Sequence, residues 1–266
     1  MRRGPLKRAL RRVLEVTGLI SVVYRAAERR LARVPVKAFD DGRPMPPPEL
    51  RVAVTGDVQP EWFSRTGETQ ARDFTRMAGE HGMRFEDGIH VLDFGCGSGR
   101  IARWLAPEVT RPGGRFTGTD LNPKLAAWCA ENLPGRYVSN GLKPPLALPD
   151  GEIDLLYAYS VFTHLREPLA RAWLAELARV LKPGGLALVT FHDEAFTEIC
   201  GPPEAKAGLA ASPYFVLNDA MEGSNYLSAW TTRARFAELA QPHFRAEAIH
   251  LGQKDIQATA VLRRLA

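Results

Sequence analysis

The 266-residue sequence predicts a doubly wound α/β fold with a mostly parallel sheet, an antiparallel terminal hairpin and an N-terminal helical arm. Three observations carry this reading. From about residue 68 onward short apolar runs alternate with stretches of helical periodicity, the pattern of a sheet covered on both faces by crossover helices. The first run, Ile89 to Phe94, passes directly into Gly95-Cys96-Gly97-Ser98-Gly99 and then into a helical stretch, the order that opens a βαβ unit. The last two runs, Phe244 to Leu251 and Ile256 to Leu262, are separated only by Gly252 to Asp255, too little chain for a parallel crossover.

The arm comes first, over residues 1–40. Leu6, Leu10, Val13, Leu14, Thr17, Ile20, Tyr24, Ala27 and Leu31 recur at three- and four-residue steps, so it reads as an amphipathic helix. Up to residue 37 it holds eleven basic and two acidic residues, a balance of +9, whereas the rest has 24 basic and 28 acidic residues, a balance of −4. The +5 of the whole chain is therefore a mildly acidic body plus a basic arm, and an acidic body speaks against nucleic acid as a partner. The apolar stretch Val13 to Tyr24 is broken by Glu15, Thr17 and Gly18, and a bilayer span needs about 20 apolar residues. Two roles remain open for residues 1–37: peripheral contact with an anionic membrane surface, or packing on the body or on a second copy of the chain. Glu15 also interrupts any signal-peptide core, and no small-x-small cleavage site follows, which argues against export.

Residues 41–59 read as a Pro-rich linker to a domain over 60–266, with Asp41-Gly42-Arg43-Pro44-Met45-Pro46-Pro47-Pro48 extended and unable to continue a helix. Within that domain helices are expected over Glu68 to His81, Arg100 to Ala106 (stopped by Pro107), Lys124 to Leu133, Pro168 to Leu181 and Thr232 to Ala240. Strands are expected at Ile89 to Phe94, Arg115 to Asp120, Arg136 to Ser139, Ile153 to Tyr159 and Leu186 to Phe191, followed by the hairpin. Residues 193–230 break the rhythm and read as an irregular lid over the strands' carboxyl ends. Cys96, Cys129 and Cys200 lack paired spacing, so neither a disulfide framework nor a metal site is indicated, and a reducing compartment, the cytoplasm, fits.

Gly95, Gly97 and Gly99 remove side chains where a ligand would approach backbone N–H groups and a helix start. The dinucleotide spacing G-x-G-x-x-G would put its third glycine at position 100, which is Arg100. Asp93 instead precedes the first glycine by two residues, a placement suited to a ligand ammonium. Asp120, twenty-one residues after Gly99, ends the second strand where a carboxylate accepts hydrogen bonds from both hydroxyls of a ribose.

The segments Val91 to Arg100, Gly118-Thr119-Asp120-Leu121-Asn122-Pro123, Asp154 to Leu165 and Leu181-Lys182-Pro183-Gly184-Gly185 together resemble the ordered motifs of class I S-adenosylmethionine-dependent methyltransferases, over about residues 60 to 264. The resemblance implies a Rossmann-like, seven-stranded sheet whose last strand is antiparallel. It implies S-adenosyl-L-methionine as cofactor, with Gly95, Cys96, Gly97 and Gly99 around the methionine portion, Asp93 near the ammonium directly or through water, Asp120 at the ribose, Asn140 and Gly141 at the adenine, and Leu121 and Ser160 near the cofactor. Many members have an acid where this chain has Asn140, whose carboxamide still hydrogen-bonds adenine.

Methyl transfer to a hydroxyl needs alignment and a base, and candidate bases belong at the ends of the fourth and fifth strands. His164 and His192 follow those strands and titrate near neutrality. Tyr226, in the 193–230 stretch, is the candidate for the substrate pocket. Tyr157-Ala158-Tyr159-Ser160 stands where methylases of base amines carry Asp/Asn-Pro-Pro-aromatic, which leaves a small-molecule, glycan or lipid-linked acceptor, with oxygen the expected atom and nitrogen or carbon still open. The competing reading is a non-catalytic cofactor-binding scaffold. The basic arm favours acceptors made at the inner face of a membrane.

Overall fold

The computed structural model describes residues 13–266, so Leu6, Leu10 and the rest of the arm's first twelve residues lie outside the described residues. The elements are α1 (Ile20–Leu31), α2 (Pro48–Thr55), α3 (Pro60–Glu80), β1 (His90–Phe94), α4 (Ala102–Thr110), β2 (Arg115–Asp120), α5 (Pro123–Asn132), β3 (Arg136–Ser139) and β4 (Ile153–Ala158). They continue with α6 (Glu167–Val180), β5 (Leu181–Phe191), α7 (Glu194–Cys200), α8 (Pro203–Ala211), β6 (Tyr214–Leu217), β7 (Ser228–Thr231), α9 (Arg233–Ala240), β8 (Phe244–His250) and β9 (Ala258–Arg264). Seven strands form one sheet in the order β3-β2-β1-β4-β5-β9-β8. The first five are parallel, and β9 runs antiparallel to both β5 and β8. The doubly wound, Rossmann-like sheet with its antiparallel hairpin is thus as expected.

Alternation along each strand feeds two cores. Leu92, Leu156 and Val189 face α6 and α9, where Trp173, Leu177 and Phe236 close the layer. Val91, Leu155 and Leu188 face the opposite way, against Phe74 of α3 and Leu105 of α4. Burial on both faces explains why these strands read as unbroken apolar runs.

Four local expectations are corrected. Pro107 does not stop its helix but sits inside α4. Lacking an N–H, it leaves the Arg103 carbonyl without its helical donor, and Arg43 Nη1 donates to that oxygen at 3.1 Å instead. Helix α3 starts at Pro60 rather than Glu68, with proline at the first turn, where its missing N–H costs nothing.

Segment 41–59 is more than a linker, because α2 forms within it after the non-helical 41–47 stretch and packs into the body. Arg51 is buried and staples both ends of that helix, Nε to the Val58 carbonyl at 3.0 Å and Nη1 to the Pro46 carbonyl at 2.5 Å. Asp41 receives Arg103 through two bonds of 2.6 and 2.8 Å, and the Arg103 side chain is fully buried. Finally, residues 193–230 hold α7, α8 and the β6–β7 hairpin rather than irregular chain. Asp193 caps α7, its carboxylate accepting the Phe196 N–H at 2.8 Å.

Candidate functional site

The parallel strands deliver their carboxyl ends to one cavity of about 940 Å³. Gly95 and Gly97 follow β1, Asp120 ends β2, Asn140 and Gly141 follow β3, Ser160 follows β4 and His192 follows β5, and all of them line it. This is where open α/β sheets bind ligands, since loops there diverge and leave a crevice. The volume lies towards the upper end of small-molecule sites, enough for a nucleoside-sized ligand with a second molecule beside it.

The glycine loop is shaped by backbone geometry. Gly95, Gly97 and Gly99 have φ of 83°, 56° and 76°, the left-handed region that side chains avoid. A Cβ on Gly95 would meet Val161 at 2.3 Å and one on Gly97 would meet Val54 at 2.8 Å. Gly99 faces inward instead, where a Cβ would strike Leu133 at 2.5 Å, so it serves helix packing rather than ligand approach. Cys96 also points away from the cavity, buried, with its Sγ 3.6 Å from the Gly97 carbonyl.

Asp120 ties two elements together: its carboxylate accepts the Gly97 N–H at 2.8 Å and the Asn122 N–H at 2.7 Å. Burial raises its pKa, opposed by those two hydrogen bonds. Asn140 donates Nδ2 to the Gly141 carbonyl at 2.8 Å, which fixes the amide orientation. Its Oδ1 is buried and accepts no hydrogen bond among the described residues. Leu121 stands beside it on the cavity wall.

Asp93, expected near the loop and the ligand ammonium directly or through water, does not itself line the cavity. It is buried, and it accepts the Tyr157 hydroxyl at 2.7 Å. Burial pushes its carboxyl up to about 7, against the lowering effect of the Tyr157 bond. Its side chain follows the alternation of β1 onto the face shared with Val91, where Tyr157 meets it.

His164 and His192 are brought together on one wall. Nδ1 of His164 lies 2.6 Å from the Leu227 carbonyl, and Nδ1 of His192 lies 3.0 Å from that of Ala229. A carbonyl only accepts, so Nδ1 carries the proton in both rings and Nε2 is left as the acceptor. Burial lowers both pKa values, His192 to about 3 with a further contribution from His164. His192 is also stacked on Phe196, with ring centroids 4.5 Å apart. Ser160 adopts φ of 60°, uncommon for a residue with a side chain, and is held by its N–H to Thr190 Oγ1 at 2.7 Å and by Gln257 to its Oγ at 2.9 Å.

Tyr226 does not line the cavity. Its hydroxyl donates to Glu15 at 2.7 Å and its ring meets Tyr24 edge-on at 5.7 Å, so it clasps the arm. The arm in turn reaches the site, since Tyr24, Arg25 and Glu28 of α1 line the cavity, which sequence periodicity did not indicate. Arg100 was also missed: it is buried on the cavity wall, lies 4.6 Å over the Tyr159 ring and donates to Thr66 Oγ1 at 3.1 Å. Its apparent misfit to G-x-G-x-x-G was the available signal.

A profile of the methyltransferase domain matches residues 92–189. The chain is 31% identical over 119 residues to malonyl-[acyl-carrier protein] O-methyltransferase of Pectobacterium atrosepticum, covering 44% of each chain. It is 37% identical over 106 residues to fatty-acid O-methyltransferase of Mycolicibacterium smegmatis, covering 39% of this chain and 37% of that one. The chain spans half or less of the length of the curated relatives first matched. In fold it is similar to Burkholderia thailandensis 1,6-didemethyltoxoflavin-N1-methyltransferase, solved with 1,6-didemethyltoxoflavin and S-adenosylhomocysteine, with a TM-score of 0.54, 18% identity, and coverage of 86% of this chain and 99% of that one. Ordered motifs, strand order and matched profile agree on a methyltransferase domain over residues 92–189, in a fold shared with solved S-adenosylmethionine-dependent methyltransferases.

Proposed function

We propose that the protein transfers a methyl group from S-adenosyl-L-methionine to a hydroxyl of a small-molecule, glycan or lipid-linked acceptor in the cytoplasm. The observation that carries this is the convergence, in one cavity, of a cofactor-shaped set of donors and acceptors with two neutral histidines. The residues present fit the cofactor. Asn140 Oδ1, buried and accepting nothing among the described residues, suits the exocyclic amine of adenine, and the lone pairs of Asp120 not used by Gly97 and Asn122 suit the ribose hydroxyls. Gly95 and Gly97 would hold the methionine portion, with Gly141, Leu121 and Ser160 along the same wall. When bound, S-adenosylmethionine supplies a methyl group on a sulfonium, and S-adenosylhomocysteine is the leaving group.

The chain's own work is alignment and proton removal. As the new O–C bond forms and the S–C bond breaks, the acceptor's hydroxyl proton goes to His164 Nε2, with Nδ1 fixed on the Leu227 carbonyl. His192, whose pKa of about 3 makes it a poorer base, orients the acceptor beside it. The O-methyltransferase relatives support oxygen as the acceptor atom.

The test is calorimetric titration with S-adenosylmethionine, followed by a mass-spectrometric screen of lysate from cells lacking the protein for a species that gains one methyl group. Binding with formation of S-adenosylhomocysteine supports the proposal. Binding without turnover on any acceptor pool favours a non-catalytic scaffold.

A further inference from the structure

We infer that α1 and the mouth of the cavity form one face that docks on an anionic lipid bilayer. The inference deepens the methyltransferase reading and rests on it in one respect: the acceptor is then an amphiphile whose polar head enters the cavity while its apolar part stays in the bilayer.

Helix α1 has two faces with different partners. On the inner side Tyr24 and Glu28 line the cavity, Ile20 is buried, and Leu31 with Ala32 packs on Val52 of α2. The outer side, uncovered among the described residues, mixes apolar side chains with the exposed Arg25, Arg29 and Arg30. Val22 and Val23 are 55% and 49% exposed, and just before the helix Val16 and Leu19 are 82% and 52% exposed. Single exposed apolar residues are ordinary, but a run of them beside a basic segment marks an interaction face.

The cavity mouth continues that face. Trp62 of α3 lines the cavity and remains 45% exposed, and the exposed Arg25 and Arg65 line it too. An exposed indole with arginines on the same rim, Arg65 among them paired with Glu61 at 2.7 Å, is a composition found where a protein meets headgroups.

Charge selects the occupant. The first 37 residues carry +9 on a body of −4. A second copy docking through the same face would set one +9 segment against another, whereas anionic headgroups complement it. Nucleic acid would satisfy the charge but leave the valines in water. Among the described residues no helix is long and apolar enough to cross a membrane, which fits a helix lying in the interface plane.

The experiment is co-sedimentation of the full chain with vesicles of equal parts phosphatidylglycerol and phosphatidylcholine, beside vesicles of phosphatidylcholine alone. Binding to the anionic vesicles only, weakened by salt, is expected. The double variant Val22→Asp, Val23→Asp should partition roughly tenfold more weakly, with its melting temperature and S-adenosylmethionine affinity unchanged, because both side chains are outside the cavity. Arg29→Glu with Arg30→Glu gives the electrostatic counterpart. Equal binding to both vesicle types, no binding, binding to a DNA duplex in place of vesicles, or a dimer that the valine variant dissolves would each overturn the inference. Loss of S-adenosylmethionine binding in the wild type would instead overturn the methyltransferase reading and leave docking standing.

Discussion

The Asp120 carboxylate accepts the backbone N–H of Gly97 at 2.8 Å, so the end of β2 holds the loop that follows β1. One side chain thus shapes the glycine loop and presents its remaining lone pairs to the cavity. Asp120→Ala is expected to weaken S-adenosylmethionine binding by about 1–3 kcal/mol, through loss of a charged acceptor and of loop order. Asp120→Asn should not rescue it, because the carboxamide turns a donor towards either Gly97 or Asn122, both donors themselves. Calorimetry decides, and wild-type affinity in either variant would remove Asp120 from the cofactor site.

His164 and His192 differ in what burial has left them. Both are neutral with Nδ1 on a carbonyl, but His192 is pushed down to about 3. In a titration followed by NMR, His192 should show no protonation down to about pH 5, in contrast to a free imidazole at about 6.5. Once an acceptor is known, His164→Gln should lower kcat by about 10²–10⁴ and His192→Gln by less, and the acid limb of kcat/KM should fall below 6.5. Equal losses in the two variants would point to a shared positioning role.

Asp41 and Arg103 form the anchor that makes segment 41–59 part of the body. The Arg103 side chain is wholly buried, so Asp41→Ala strands a cation. A loss of about 3–5 kcal/mol in denaturant unfolding is expected, the cost of breaking one side of a buried pair. Burial raises the Asp41 pKa, but the bonds from Arg103 and Ser64 more than offset it and leave it below the usual carboxylate range. Its contribution is therefore present above 3.8 and is lost as pH falls through the folded value. A variant as stable as the wild type would show that the segment is held by α2 alone.

What could be read from the sequence follows from range. The strands were legible because burial on both faces gives Val91-Leu92 and Leu155-Leu156 no polar partner to hide among. The hairpin was legible because the connection, residues 251–257 between β8 and β9, is too short for a parallel crossover. Position, by contrast, was invisible. Asp93 has the right spacing to a glycine loop yet points into a packed face, a matter of register. The contact of Tyr226 with Glu15 spans 211 residues and leaves no local periodicity. Helix α2 was hidden by the prolines before it, although Pro48 at its first turn was itself a start signal.

Asp93 is the group whose charge the fold resists. Burial holds its carboxyl at about 7 in place of 3.8, while the Tyr157 hydroxyl bond pulls the other way. A carboxyl with a raised folded pKa stabilises the native state fully below 3.8, and that stabilisation is lost as pH rises through about 7, where the buried group ionises. Asp93→Asn keeps an acceptor for Tyr157 and abolishes the charge. The melting temperature of the variant minus that of the wild type should therefore increase from acid pH towards pH 8 and above. Parallel melting curves across that range would mean that Asp93 is ionised throughout, with the nearby Arg100 cation sustaining its charge.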